Sequence, residues 1–94
     1  MTLLETTYNY LNDYELTQSA RHFSKTYLKR NANYYAYQTH KNRDFCLSAA
    51  VDFVKSVNAI MEDNTLDKER RTALLKSKHH ITQYLQNTHS LHII

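Results

Sequence analysis

Basic side chains without an acidic neighbour occupy the stretch from residue 16 to residue 43. Six lysines and arginines fall in this stretch, and no aspartate or glutamate does. They are Arg21, Lys25, Lys29, Arg30, Lys41 and Arg43. The net charge of the whole chain is only +3, but a local basic surface attracts polyanions whatever the total charge is. Nucleic-acid phosphate is therefore the first chemistry that the sequence indicates.

The same stretch offers side chains that form hydrogen bonds with base edges. Asn33, Gln38 and His40 carry donors and acceptors of the kind that reads bases in the major groove. The basic residues before Asn33 would contact phosphates from a helix and its turn, and Lys41 and Arg43 would continue these contacts. Neutralising about six phosphates supports micromolar binding with a steep salt dependence. The alternative interpretation is a solvated charged face without a ligand, the common outcome for a run of charge.

The spacing of apolar and aromatic residues predicts a helix-turn-helix unit over about residues 17–40. Phe23 and the small Ser24 would pack at the elbow, and Tyr34 and Tyr37 would seat the second helix on the core. Helices packed together only to form a core are the other interpretation of this pattern.

This segment also resembles a family of short, functionally uncharacterised bacterial proteins. The family pattern is close to Leu-x-x-Ser-x-x-x-Phe-Ser-x-x-Trp-Leu-Gly-Arg-x-x-x-Tyr-Tyr. The matching residues are Leu16, Ser19, Phe23, Ser24, Leu28, Arg30, Tyr34 and Tyr35. The chain has Tyr27 in place of the tryptophan and Lys29 in place of the turn glycine. Because that glycine supplies a positive φ angle in many helix-turn-helix proteins, Lys29 predicts a longer or a strained turn.

Five amphipathic segments predict an all-α bundle. Apolar residues recur at helical spacing over about residues 2–12, 17–28, 32–40, 44–62 and 64–87. The chain has no glycine, proline or tryptophan, so the residues typical of hairpin turns and strand bulges are missing. Its 94 residues suffice for one core, which predicts a single domain over residues 1–94. In it, the helix-turn-helix half precedes a hairpin of two longer helices over about residues 44–88.

The ends of these helices have recognisable signals. Thr2 with Glu5 predicts a capping box, Thr17 would cap the second helix, and Asn64 with Asp67 predicts another capping box. Because glycine is absent, asparagine is expected to take the left-handed positions where helices stop or restart. The candidates are Asn12, Asn31, Asn42, Asn64 and Asn87.

The segment 44–62 is the most apolar part of the chain. Its apolar stripe consists of Cys46, Ala50, Phe53, Val54, Val57, Ile60 and Met61. Cys46 is thus predicted to be a small buried hydrophobe. The helix is also the candidate interface of a homodimer, since small regulators commonly act as dimers on paired half-sites. Residues 91–94, Leu-His-Ile-Ile, are either a docked tail or an apolar patch that a partner covers.

The sequence does not indicate an enzyme. Cys46 has no base or orienting acid near it in sequence, and no glycine-rich loop is present. The six histidines lack the spacing of a metal motif, and the adjacent His79 and His80 point to different faces of a helix. The eight tyrosines are expected at the edge of the core, with Tyr35 the most exposed ring, rather than stacked on bases. We predict no catalytic residues, no cofactor and no metal site.

Two functions fit these features. The first is a small DNA-binding protein, a transcriptional or mobile-element regulator that binds double-stranded DNA with the basic helix-turn-helix face. The second is an inhibitor from a phage or mobile element, of the anti-CRISPR kind, that binds an acidic protein partner without nucleic-acid contact. A single cysteine, the absence of a signal-peptide pattern and the absence of about 20 consecutive apolar residues predict a soluble cytoplasmic protein without membrane contact.

Overall fold

Five helical elements make up residues 1–89, the part of the chain that the computed structural model describes. The elements are α1 (Leu3–Asp13), α2 (Ala20–His22, continuing as a π-helix over Phe23–Tyr27), α3 (Tyr34–His40), α4 (Leu47–Met61) and α5 (Lys68–His89). No strand occurs in these residues, so the predicted all-α bundle with two longer C-terminal helices is confirmed. None of the helices is both long and apolar enough to cross a bilayer. The interpretation of residues 91–94 lies outside the described part.

The core is organised around Phe53 of α4. The centroid of its ring lies 6.3 Å from that of Phe23, 5.9 Å from that of Tyr27 and 6.1 Å from that of Phe45. The other apolar side chains that α4 buries are Ala49, Ala50, Val54 and Val57. Since α2 and α5 cover this face within one chain, it is not the spare surface for a homodimer that the sequence predicted.

The first turn of α1 is closed by a local pair and by a distant residue. Thr2 and Glu5 form the predicted capping box, in which each side chain accepts from the backbone N–H of the other. The Asp44 carboxylate, from the loop before α4, accepts from the N–H of Leu3 at 3.0 Å and from that of Leu4 at 2.9 Å. A negative charge at a helix N-terminus also interacts favourably with the helix dipole. Asp44 therefore fixes α1 to the start of α4.

Two arginines of α5 close the ends of other helices. Arg70 donates through Nε to the carbonyl oxygen of Tyr14 at 2.9 Å, where α1 ends. Arg71 donates to the carbonyl oxygens of Met61 and Asp63 at 3.0 and 3.1 Å, where α4 ends. Helix ends leave carbonyl groups without partners in the helix, and cationic side chains are well suited to satisfy them. These two basic residues thus serve the fold.

Two predicted caps are wrong. Ser19, rather than Thr17, caps α2 with a side chain that accepts from a backbone N–H of the first turn. Thr17 is instead buried, and its hydroxyl lies 2.7 Å from the ring nitrogen Nδ1 of His22. At α5, Asp67 rather than Asn64 accepts from a backbone N–H of the first turn. Both helices therefore begin later than the sequence predicts.

Three residues have left-handed backbone angles among residues 1–89, and only one is an asparagine. The φ angles are 60° at Glu15, 55° at Lys29 and 56° at Asn42. At Glu15 the following N–H, of Leu16, donates back to the carbonyl oxygen of Leu11, as in a Schellman cap. The expectation that asparagines fill these positions holds at residue 42 alone, because the other candidates adopt other angles. Lys29 confirms the strained turn that a missing glycine predicted.

We expect Lys29→Gly to raise the free energy of unfolding by about 0.5–1 kcal/mol. A side chain with a Cβ disfavours the left-handed conformation, and relief of that strain exceeds the entropy that glycine adds to the unfolded chain. Urea denaturation followed by circular dichroism measures the change. Lys29→Ala removes the same charge but keeps the Cβ, so it serves as the control. Equal stabilisation by both variants would assign the effect to the charge and contradict the backbone explanation.

Candidate nucleic-acid interface

Ser24 forms the elbow between α2 and α3. Its side chain is fully buried and its hydroxyl donates to the carbonyl oxygen of Ala20 at 2.9 Å. The same oxygen accepts from the N–H of Tyr35 at 3.0 Å, at the start of α3. Ser24 thus satisfies a donor that α3 cannot satisfy itself, and a larger side chain would separate the two helices. The predicted packing of Phe23 and Ser24 at the elbow agrees with this geometry.

The two predicted tyrosine orientations on α3 are wrong. The ring of Tyr35 lies 4.7 Å from that of Tyr8 and 5.9 Å from that of Phe23, so it is part of the aromatic packing rather than the most exposed ring. Tyr37, which was expected to seat α3 on the core, is 51% exposed. Successive helical residues turn by about 100°. Tyr35 is packed and Tyr37 is exposed, the reverse of the prediction, so α3 is rotated about its axis relative to the predicted orientation.

The outer face of α3 carries a stripe of exposed residues at helical spacing. We call it the α3 stripe, and it consists of Asn33, Ala36, Tyr37, His40 and Lys41. The Lys41 ammonium lies 6.0 Å from the centroid of the Tyr37 ring. At the other end of the stripe, Arg21 of α2 donates to the side-chain oxygen of Asn33 at 3.5 Å. A cation therefore lies at each end of the stripe, Arg21 beside Asn33 and Lys41 beside Tyr37.

Five of the six predicted phosphate-binding cations are exposed. They are Arg21, Lys25, Lys29, Lys41 and Arg43. None of these five forms a salt bridge with an acidic side chain of residues 1–89. Lys29 lines a groove between α2 and α4 together with Asp52 and Lys55 and therefore lies apart from the α3 stripe. Arg21 and Lys41 are the cations that the structure brings to the α3 stripe.

Arg30 is not the exposed phosphate ligand that the sequence predicts. Its guanidinium lies 3.1 Å from the Asp52 carboxylate, and it also donates to the hydroxyl of Ser48. Both partners belong to α4, and the side chain of Arg30 is only one-quarter exposed. Removing one partner of such a half-buried pair leaves the other without its counter-charge. Arg30 is therefore a link between the turn after α2 and the first turns of α4.

Gln38 does not face outward with the base-reading candidates. It is 7% exposed, and its Nε2 donates to the carbonyl oxygen of Asp44 at 2.8 Å. This bond attaches α3 to the loop before α4. The carboxylate of Asp44, in the same loop, caps α1. Gln38 is thus corrected from a base-reading residue to a structural one, while Asn33 and His40 remain exposed.

Cys46 lies at the N-cap position of α4 and is joined to α3 by hydrogen bonds with Tyr34. The predicted position inside the apolar stripe is wrong, because α4 begins at Leu47 rather than at residue 44 and leaves Cys46 exposed at its N-cap. The hydroxyl of Tyr34 donates to Sγ and accepts from the N–H of Cys46, both at 3.3 Å. Partial burial raises the pKa of the thiol, but hydrogen bonds from Tyr34 and from the first turn of α4 outweigh this and lower it to about 7.

Within residues 1–89 no cluster of three histidine, cysteine or acidic side chains could hold a metal ion.

Comparison with known proteins gives a family without a function. A family model described as a family of unknown function, DUF6626, matches residues 4–92. The match covers nearly the whole chain and includes all the helices described above except Leu3, the first residue of α1. No curated protein and no solved structure matches the chain. The sequence-based resemblance to a family of uncharacterised function is confirmed at this level.

Proposed function

The chain belongs to the DUF6626 family of unknown function, and we propose that it is a small protein that binds double-stranded DNA through the α3 stripe. The observation that carries this proposal is the charge left free around the stripe after folding. Arg21 and Lys41 border it and Lys25 lies four residues after Arg21, and all three are exposed without an acidic partner in residues 1–89. Free cations beside an exposed helix face favour a polyanionic partner.

The first two acids that follow these cations in sequence, Asp44 and Asp52, are already engaged. The carboxylate of Asp44 accepts backbone N–H groups of α1, and that of Asp52 pairs with Arg30. In the C-terminal half, Arg70 and Arg71 are occupied at helix ends. Residues 44–94 contain six acids and six lysines and arginines, whereas residues 16–43 contain six lysines and arginines and no acid. The net positive charge of the chain therefore lies in the segment that contains α2 and α3.

The α3 stripe has the dimensions and side chains for the major groove. Seven residues of α-helix extend about 10 Å, which corresponds to about three base pairs. Asn33 and His40 would form hydrogen bonds with base edges, and Tyr37 would contact bases between them. The small Ala36 permits close approach and can contact a thymine methyl group. Arg21, Lys25 and Lys41 would bind phosphates and so set the orientation.

A contact of about three base pairs is too short to define a unique site, so we place two copies of the protein on paired half-sites. This arrangement suits a transcriptional or mobile-element regulator in the cytoplasm. Because the apolar face of α4 is covered within one chain, the copies would meet through another surface. Sedimentation of the protein with and without a duplex measures the number of copies bound.

We expect Arg21→Ala, Lys25→Ala and Lys41→Ala each to weaken binding to all duplexes alike. Each variant should reduce the slope of log affinity against log salt by about one unit, since one phosphate contact is lost. Fluorescence anisotropy on mixed-sequence duplexes between 50 and 200 mM salt, roughly the range over which such contacts respond, measures the slope. Lys68→Ala, an exposed lysine outside the interface, is the matched control. Tyr37→Ala should instead reduce the preference among sequences.

Binding to an acidic protein is the second candidate function, and the exposed ring of Tyr37 favours it. Tyrosine is enriched among the residues that dominate protein interfaces, and here it lies between cations. An inhibitor of a host defence complex, of the anti-CRISPR kind, would use the α3 stripe in this way. If the wild-type protein has no affinity for DNA at low salt, the DNA proposal fails and this second candidate replaces it. The same follows if a variant that combines Arg21→Ala, Lys25→Ala and Lys41→Ala binds DNA as well as wild type.

A further inference from the structure

A groove of about 440 Å³ lies between α1 and α5. The residues that line it are Thr6, Thr7, Tyr10, Lys76, Ser77 and His80. Sites for small organic molecules are concave, mostly apolar and about 300–1,000 Å³ in volume, so this groove falls within their size range. It belongs to two helices that contribute nothing to the α3 stripe. Its occupant is therefore a question separate from DNA binding.

The residues of the groove favour an anion that carries a single charge. Lys76 supplies one ammonium group and His80 one imidazole, and none of the lining residues is acidic. The remaining lining residues contribute hydroxyl groups together with threonine methyl groups and the ring of Tyr10. A ligand that suits these walls combines one negative charge with an apolar body. A bare inorganic anion would leave the apolar surface uncovered.

The hydroxyl of Ser77 is the second, independent indication of a ligand. Ser77 is 2% exposed, and its oxygen has no hydrogen-bond partner among residues 1–89. Buried polar groups are almost always hydrogen-bonded, so an orphan hydroxyl in the wall of a groove calls for a partner from outside the chain. Ser56 has the only other such hydroxyl in the described residues, but its groove is smaller, at about 260 Å³, and contains the acidic Asp52.

We propose that the groove between α1 and α5 binds a small organic anion, namely an aromatic carboxylate. The carboxylate interacts with the ammonium of Lys76 and accepts from the hydroxyl of Ser77. The ring lies against Tyr10 and the methyl groups of the two threonines. This binding goes beyond the DNA-binding role and does not depend on it.

Titration of the full ¹⁵N-labelled chain with benzoate, followed by NMR of the backbone amides, tests the proposal. We expect saturable shifts at Thr6, Thr7, Lys76 and Ser77, with a dissociation constant on the order of 1 mM for so small a ligand. Benzamide has the same ring without the charge and should bind about tenfold weaker, as expected for the loss of one charge-assisted hydrogen bond. Inorganic phosphate should give no saturable shifts at these amides. Shifts confined to other parts of the chain, or equal affinity for benzoate and benzamide, would overturn the proposal.

Variants of α5 separate the ligand from the fold. Lys76→Gln should weaken benzoate binding about tenfold, while Lys78→Gln, on the same helix but outside the groove, should leave it unchanged. Ser77→Ala should weaken binding without lowering the melting temperature of the free protein, because it removes a hydroxyl that bonds to nothing in the chain. A lowered melting temperature would mean that the hydroxyl has a structural partner, and the proposal would then fail. Neither Lys76 nor Ser77 belongs to the DNA interface, so the two proposals can fail separately.

Discussion

Phe53→Ala is expected to lower the free energy of unfolding by about 3–5 kcal/mol. The ring of Phe53 is fully buried and contacts the rings of Phe23 and Tyr27 in the π-helix and that of Phe45 in the loop before α4. Truncation removes these contacts and leaves a cavity that the rigid helices cannot close. Since small domains are stable by only about 5–15 kcal/mol, the variant should lose roughly a fifth or more of its stability.

Urea denaturation of both proteins, followed by circular dichroism, measures this loss. The matched control is Leu75→Ala on α5, because Leu75 is 47% exposed and its truncation should change stability by about 0.5 kcal/mol or less. A similar, small effect of both substitutions would contradict the central position of Phe53 in the core.

Asp44→Ala is expected to cost about 2–4 kcal/mol of stability, the second-largest effect. The carboxylate accepts from three backbone N–H groups, those of Leu3, Leu4 and Phe45. Hydrogen bonds to a charged group contribute about 1.5–3 kcal/mol each, and loss of a helix cap costs about 0.5–2 kcal/mol. The bonds to Leu3 and Leu4 are themselves the helix cap, and the N–H groups that lose the carboxylate can bond to water, so the expected loss is smaller than the sum of three bonds. Asp44→Asn retains one acceptor oxygen and should lose about half as much.

Chemical denaturation measures both variants of Asp44, and Glu62→Ala serves as the control. Glu62 is an exposed acid at the other end of α4, so its removal should change stability by about 0.5 kcal/mol or less. If Asp44→Ala were as mild as this control, the link between α1 and the loop before α4 would contribute nothing to stability.

The helices were predictable because their signals are local. Apolar residues at spacings of three and four lie within each helix, and the capping box of Thr2 and Glu5 spans one turn. The order and type of the elements therefore follow from the sequence. The orientation of α3 does not, since a helix of seven residues contains too few apolar positions to fix which face is inward. This explains why the exposures of Tyr35 and Tyr37 are exchanged relative to expectation.

The composition of the candidate site was predictable only in part. The position of the basic block is a property of the sequence, but which cations stay free depends on partners distant in the chain. Arg30 is engaged by Asp52, which is 22 residues away, and Asp44 caps a helix that begins 41 residues earlier. No local pattern signals such pairs. The π-helix at Phe23–Tyr27 is a further feature that the sequence did not predict.

The attachment of α1 at both of its ends has a consequence for synthesis on the ribosome. α1 leaves the ribosome before its partners Asp44 and Arg70, and Arg70 is translated 56 residues after Tyr14. At about 5–20 residues per second, this delay amounts to roughly 3–11 s. An isolated helix of 11 residues is marginal in water, so α1 stays unformed during this interval. The nascent chain therefore completes α1 only after α4 and the start of α5 have left the exit tunnel.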